Sequence, residues 1–304
     1  ADGPHIWYMS RSGNPLDWNY SVTGDAGAPV AGTNANAGVV GEPITALIPH
    51  EDTCLYMGCA NSLWVLRGAP AYGGQINKLS DVVGIVSKQA WCFTPDFQTV
   101  FLSSDGVYVL SGECGAGGAQ SISRELLPAD LLNVNPLLVD VLLAWDMDLR
   151  GVHIYLSYKD SGTTKHWLLD WTSKSFWPWT LQTSHEPNAL AEYYSYDAYE
   201  NAILLGGRDG YVRRYHNLVD RDDGGNNIAS HVFIGPLNLG GNDYAEGLVS
   251  EISGQLASGS GSVTWRLHAA KTTEDAFAAS SSYSATWSTV GLNAFANPRV
   301  RGGS

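Results

Sequence analysis

The chain has 304 residues, 44% of them apolar and 15% charged, with 17 Lys and Arg against 30 Asp and Glu for a net charge of −13. There is material for a large core, which excludes disorder over most of the length, and the cations are too few and too scattered to grip nucleic acid through its phosphates. The longest apolar run, Pro136 to Trp145, is too short for a bilayer and is split by Asp140, so no membrane span is expected.

The chain opens at Ala1 without Met and with no basic segment ahead of an apolar one, so it is read as processed, truncated or trimmed. From Ile44 onward, short β-branched and aromatic runs are bounded by Gly, Asn, Asp and Ser. Ile44–Ile48, Thr99–Leu102, Val152–Leu156 and Ala202–Leu205 are such runs and predict strands. A strand at Leu55–Met57, a turn at Cys59–Ser62 and a strand at Leu63–Gly68 make one unit. It recurs as Thr99–Phe101, Ser103–Gly106 and Val107–Gly112, with Gly68 and Gly112 44 positions apart. Ser121–Val141 alone shows helical periodicity, with Ser121–Glu125 as a cap and Pro128 and Pro136 as interruptions, and predicts a short helical connector near 121–141.

A hairpin of Val152–Ser157 and His166–Trp171 follows, and a third copy of the turn stands at Gly207–Val212, its Gly210 lying 44 positions after His166. Asp105-Gly106 and Asp209-Gly210 supply the positive φ that a two-residue hairpin demands. Gly247–Ile252 and Val263–Leu267 predict the last strands, with Gly254–Ser262 as a flexible loop. A period near forty with one small antiparallel sheet per repeat fits a β-propeller of about six blades. The expectation is an all-β, single body over 1–304, with 113–140 as a connector or insertion and 217–304 as the last blade or blades and an extension. A β-sandwich also shows turns every eight to twelve residues, but the repeat spacing speaks for the propeller.

Motifs that carry chemistry are scarce. There is no GxSxG, HExxH or Walker loop, and Gly115–Gly118 lacks the last glycine of GxGxxG. Asp220–Gly224 resembles an acidic calcium loop without its distal Glu and is read as a solvated turn. Asp146 and Asp148 beside Gly151 are read as turn initiators. Ser103-Ser104-Asp105-Gly106 lacks the spacer of the sialidase Asp box, and no carboxylate pair is set for glycoside hydrolysis. His50, His153, His166, His185, His216 and His231 are dispersed and read as packed or surface residues. Cys54, Cys59, Cys92 and Cys114 form no CxxC and read as buried free thiols; a Cys54–Cys59 bridge would require them to face each other across one hairpin. Trp171, Trp177 and Trp179 with Phe176 and Pro178 are read as core or interface packing in preference to a sugar platform. No catalytic, cofactor-binding or metal-binding residue is assigned, no cofactor is expected, and the chain is not expected to be an enzyme.

His5–Trp18 contains the phrase strand, Ser, x, x, Gly, Asn, Pro, x, Asp, Trp. With Gly41–Pro49, Cys54–Gly58, Ser62–Gly68 and Val100–Gly112 in the same order, the chain resembles the tail hub, or nozzle, proteins of short-tailed bacteriophages. The likeness covers residues 5 to 112 and is looser to 216. It implies a packaged-DNA-stabilising, tail-tube-terminator type of virion protein. Such a protein would be a propeller subunit self-associating into a homohexameric ring below the portal and adaptor, beside the tail fibre proteins. DNA would pass its lumen without specific binding, which the acidic charge suits. The alternative is a secreted or periplasmic propeller that binds or hydrolyses carbohydrate, motivated by the aromatic cluster and the acidic pI.

Overall fold

In the computed structural model the described residues are 5–32, 38–50, 52, 54–123, 127–182, 185–197 and 200–215, and beyond them 222–223, 226–227, 232, 234, 254–255, 262–268, 283–287 and 295–296. The chain divides into two compact units, 1–228 and 229–304.

Within residues 1–228, strands pair with their sequence neighbours. At the start β1 (Tyr8–Met9) pairs antiparallel with β2 (Val30–Ala31). The Ser-Arg-Ser-Gly-Asn-Pro-Leu-Asp phrase between them folds on itself: the Arg11 guanidinium reaches Asp17 at 3.2 Å and also bonds Asp25. Asn14 Oδ1 accepts from the Leu16 amide at 3.2 Å and Asp17 Oδ1 from the Asn19 amide at 3.0 Å. Short polar side chains thus replace a ladder and make a turn.

Four antiparallel sheets then follow in chain order. The first is β3 (Ile44–Pro49), β4 (Cys54–Cys59), β5 (Leu63–Arg67) and β6 (Gln75–Ser80). The second is β7 (Trp91–Phe93), β8 (Thr99–Ser103), β9 (Gly106–Leu110) and β10 (Ala119–Ser121). The third is β11 (Val139–Asp146), β12 (Gly151–Tyr158), β13 (Thr164–Asp170) and β14 (Phe176–Trp179). The fourth has three strands, β15 (Pro187–Tyr193), β16 (Ala202–Gly207) and β17 (Val212–Tyr215). The predicted hairpins are in place: β4–β5, β8–β9, β12–β13 and β16–β17 are all antiparallel pairs. Gly106 and Gly210 in the Asp-Gly turns both sit at positive φ, +155° and +84°.

Among the described residues the fold is nearly all-β, with several four-stranded antiparallel sheets and none closed on itself. Successive sheets stack. One continuous core joins the first three through Ile48, Leu63, Phe101, Val107, Leu143 and Ile154, and a second cluster joins the third and fourth through Leu142, Ala144, Tyr155, Ile203 and Leu205. β11 lies beside both β7 and β15, so the opening strands of sheets two to four are neighbours. Backbone bonds tie the segment between β6 and β7 to the sheets on either side: the Ile85 amide donates to the Cys59 carbonyl at 2.8 Å and the Leu143 amide to the Gln89 carbonyl at 3.0 Å. Gly84 permits the first of these, since a Cβ there would collide with the carbonyls of Cys59 and Ala60.

Three sequence expectations change. The helical connector near 121–141 is absent from the described residues: Ser121 ends β10, Val139 opens β11, and only the 3-10 turn Ala129–Leu131 lies between. Pro128 and Pro136 forbid a longer helix, and the apolar stretch that follows is buried as a strand. Cys54 and Cys59 both lie on β4 and cannot bridge; Cys54 is bonded to Cys114, 60 positions on, in the 3-10 turn Glu113–Gly115, while Cys59 and Cys92 are free and buried. Gly254–Gln255, expected in a flexible loop, forms a strand pairing with Phe295–Ala296. In the same unit Val263–Leu267 pairs with Tyr283–Trp287, as strand residues should, while Gly247–Ile252 lies outside the described residues.

Candidate functional site

β12 reads Gly-Val-His-Ile-Tyr-Leu-Ser, and alternation sends Val152, Ile154 and Leu156 to one face and His153, Tyr155 and Ser157 to the other. Both faces are buried. The first set enters the continuous core shared with the second sheet. The second set faces the fourth, and cross-strand register brings chemistry together there: His153 is flanked by Ala144 and Leu168, and Tyr155 by Leu142 and His166, with Trp179 beyond His166.

The result is a hydrogen-bonded chain of three titratable side chains. Asp146 Oδ2 is 2.9 Å from His153 Nε2, and His153 Nδ1 is 2.7 Å from His166 Nε2. His153 is fully buried and His166 is 3% exposed. Tyr155 stacks on His166 at 4.0 Å between ring centroids, and Tyr215 of β17 meets His153 edge-on at 4.6 Å. Asp146 Oδ1 accepts from the Asp148 and Leu149 amides at 2.8 and 2.9 Å, so the carboxylate starts the β11–β12 turn, as expected, and also anchors the histidines.

An ionised Asp146 only accepts, so His153 donates from Nε2, and the His153 Nδ1–His166 Nε2 contact is one donor and one acceptor whose direction follows the tautomers. His166 Nδ1 and the Tyr155 hydroxyl have no hydrogen-bond partner among the described residues. Burial works against the Asp146 charge, but the His153 bond and the Leu149 and Asp148 amides outweigh it and hold the carboxyl below its ordinary value. His166 is pushed well below the usual imidazole value by burial and then by His153. The Tyr155 phenol is pushed well up by burial, with Tyr215 and Asp146 adding to it. The arrangement can hold and relay protons internally, yet both imidazoles are shut away from solvent.

A second feature lies at the opening strands. A cleft of about 300 Å³ runs between β7 and β15, with Trp91, Phe93, Leu143, Glu192 and Tyr194 among its walls. Glu192 is held there by two donors, the Trp145 amide at 2.7 Å and the Tyr194 hydroxyl at 2.6 Å. Burial, followed by the nearby Glu192 charge, pushes the Cys92 thiol well up, so it stands as a neutral wall residue.

The remaining sequence candidates separate. The aromatic cluster is no single platform: Trp171 packs edge-on against Trp145 at 5.3 Å under the Lys174 ammonium, whereas Trp179 packs near His153, His166 and Tyr215 and Trp177 is half exposed on the β14 edge. Asp105 takes the Tyr108 hydroxyl at 2.7 Å within its turn, and Gly115–Gly118 forms a tight turn after β9. His50 is buried against Tyr56. His216 and His231 lie outside the described residues, as do Asp220, Arg221 and Gly224, while Asp222–Asp223 forms a strand pair with Asn226–Asn227. Among the described residues no group of three or more His, Cys, Asp or Glu converges as metal ligands. Alternation in Val-His-Ile-Tyr-Leu-Ser was visible in the sequence, and it was the signal for the buried chain; what it lacked was the fourth sheet, which covers the polar face. Comparison of the chain with protein-family models and with curated proteins finds no match in either.

Proposed function

We propose that this protein is the ring-forming nozzle, or hub, subunit of a short-tailed bacteriophage tail, a β-propeller of about six blades. In this reading six copies enclose the DNA exit channel beneath the portal and adaptor, hold the packaged DNA in the virion and let it pass at ejection. The observation that carries the reading is the succession of antiparallel sheets, each built from consecutive strands, with the opening strands β7, β11 and β15 adjacent. A propeller blade requires that order and that inner edge.

Two further facts support it. The residues that resemble nozzle proteins, 5 to 112, fall on the Arg11 turn and on the first two sheets. A net charge of −13 with only 15% charged residues suits a subunit whose flanks dock on copies of itself and whose lumen must not trap DNA. The test is the mass of the purified chain by light scattering together with negative-stain images. Sixfold rings with an open centre are the expected result; a stable monomer at every concentration, or tight retardation of duplex DNA at physiological salt, would overturn the reading.

A further inference from the structure

The geometry points to the Asp146–His153–His166 chain as an acid-operated catch between the third and fourth sheets: it takes up one proton with its hydrogen bonds intact, and a second proton breaks it and frees the fourth sheet. This inference does not depend on ring assembly.

The hydrogen bonds set how many protons the chain holds. With both imidazoles neutral, His153 donates to Asp146 and shares one hydrogen with His166 across the 2.7 Å contact. One added proton makes His153 an imidazolium that donates from both nitrogens, to the carboxylate at 2.9 Å and to His166 Nε2. A second proton sets N–H against N–H at the same contact, and the one carboxylate compensates only one of the two charges.

The surroundings supply no other countercharge. Tyr155 of β12 stacks on His166, with Trp179 of β14 beside it. From the fourth sheet come Tyr215 of β17, edge-on to His153, and the apolar Ile203 and Leu205 of β16. Burial pushes both phenols up, so they stay neutral. The charged groups at the margins are engaged elsewhere. Glu192 accepts from the Trp145 amide at 2.7 Å and Glu186 from the Thr164 amide at 3.0 Å, while Arg208 donates to Ser157 at 3.0 Å and Arg213 pairs with Asp209 at 2.5 Å.

Where a doubly charged pair finds water decides what moves. His153 is fully buried and His166 nearly so, and hydration requires a covering element to leave. The fourth sheet is the weaker cover. It has three strands, no residue of β17 is fully buried, and it is held by the smaller apolar cluster, whereas the opposite face of β12 belongs to the continuous core.

Hydrogen exchange of the full chain, read by mass spectrometry from about pH 7.5 to about pH 4 and corrected for intrinsic rates, tests the catch in a monomer or a ring alike. Asp146 stays ionised over this range, because its hydrogen bonds hold it below the ordinary carboxyl value of about 3.9. The catch is closed above about pH 6.5 and opens as pH falls, since burial keeps His166 below the usual imidazole value. Protection of β15, β16 and β17 should drop by about tenfold or more in acid, while that of β4–β5 and β8–β9 changes less than about threefold. His166→Phe, which cannot charge, should hold the fourth sheet within about threefold across the range. Should that variant not fold, His166→Gln keeps a neutral donor for His153 and is expected to do the same. In the unaltered chain, NMR titration of the two imidazoles should show two separate steps, with the fourth sheet opening at the second. Equal loss of protection in all sheets, unchanged protection down to about pH 4, opening at the first step, or an acid response retained in His166→Gln overturns the proposal.

Discussion

The two faces of β12 are built from one strand and buried to the same degree, yet they are held by different forces. Toward the second sheet, Val152, Ile154 and Leu156 pack among apolar side chains, where cohesion is non-directional and grows with area. Toward the fourth sheet, His153 and Tyr155 are equally covered, but the Asp146–His153–His166 chain needs each partner in place. The first interface should therefore tolerate loss of shape at a cost in stability alone. The second should respond to charge and to pH, because leaving one member unpaired strands a buried polar group.

The largest expected effect is on the apolar face. Ile154→Ala should lower unfolding free energy by about 4 kcal/mol in denaturant titration, equally at pH 5 and pH 7.5; a loss below about 1 kcal/mol would show that this face is not the main source of cohesion. Next, Asp146→Ala removes the acceptor for His153 and for two turn amides and should cost about 3 kcal/mol at neutral pH. The same variant should also broaden or shift the His153 ring resonances, a readout that loss of packing alone would leave in place.

The third prediction is the pH dependence. The folded value of His166 lies below its unfolded value, so its contribution is complete above about pH 6.5, and it is lost as pH falls below that because the unfolded chain takes up the proton first. Melting curves should therefore show stability declining with a slope of up to about 1.4 kcal/mol per pH unit under mildly acid conditions. His166→Phe, which keeps a ring against Tyr155, should flatten that slope. A second decline belongs to Asp146, whose depressed value makes its contribution present above the ordinary carboxyl value of about 3.9 and lost in stronger acid. The smallest effect is at the edge: Trp177→Ala, half exposed on β14, should stay within about 0.5 kcal/mol.

Local order was legible in the sequence wherever one hairpin carried the information. The turns at Cys59–Ser62, Ser103–Gly106 and Asp209-Gly210 join the strands their spacing predicts, since turn chemistry and alternation act over a few residues. What depends on distant elements meeting was not legible. Cys54 and Cys114 come together only when the first two sheets stack, 60 residues apart in sequence. His153 reads as an ordinary strand residue until β17, some sixty positions later, places Tyr215 against it. Glu192 and Trp91, a hundred residues apart, share a cleft only because β15 arrives beside β11 and β11 beside β7. The connector near 121–141 failed for a local reason: two prolines outweigh a modest helical period.

The cysteine inventory has a practical corollary. With Cys54 and Cys114 joined and Cys59 and Cys92 enclosed, the chain offers no accessible sulfhydryl to alkylating dyes in its native form. A single cysteine placed at an exposed position such as Tyr196 or Val82 would therefore take up a maleimide fluorophore alone, giving a one-site reporter of subunit association without removal of any resident thiol.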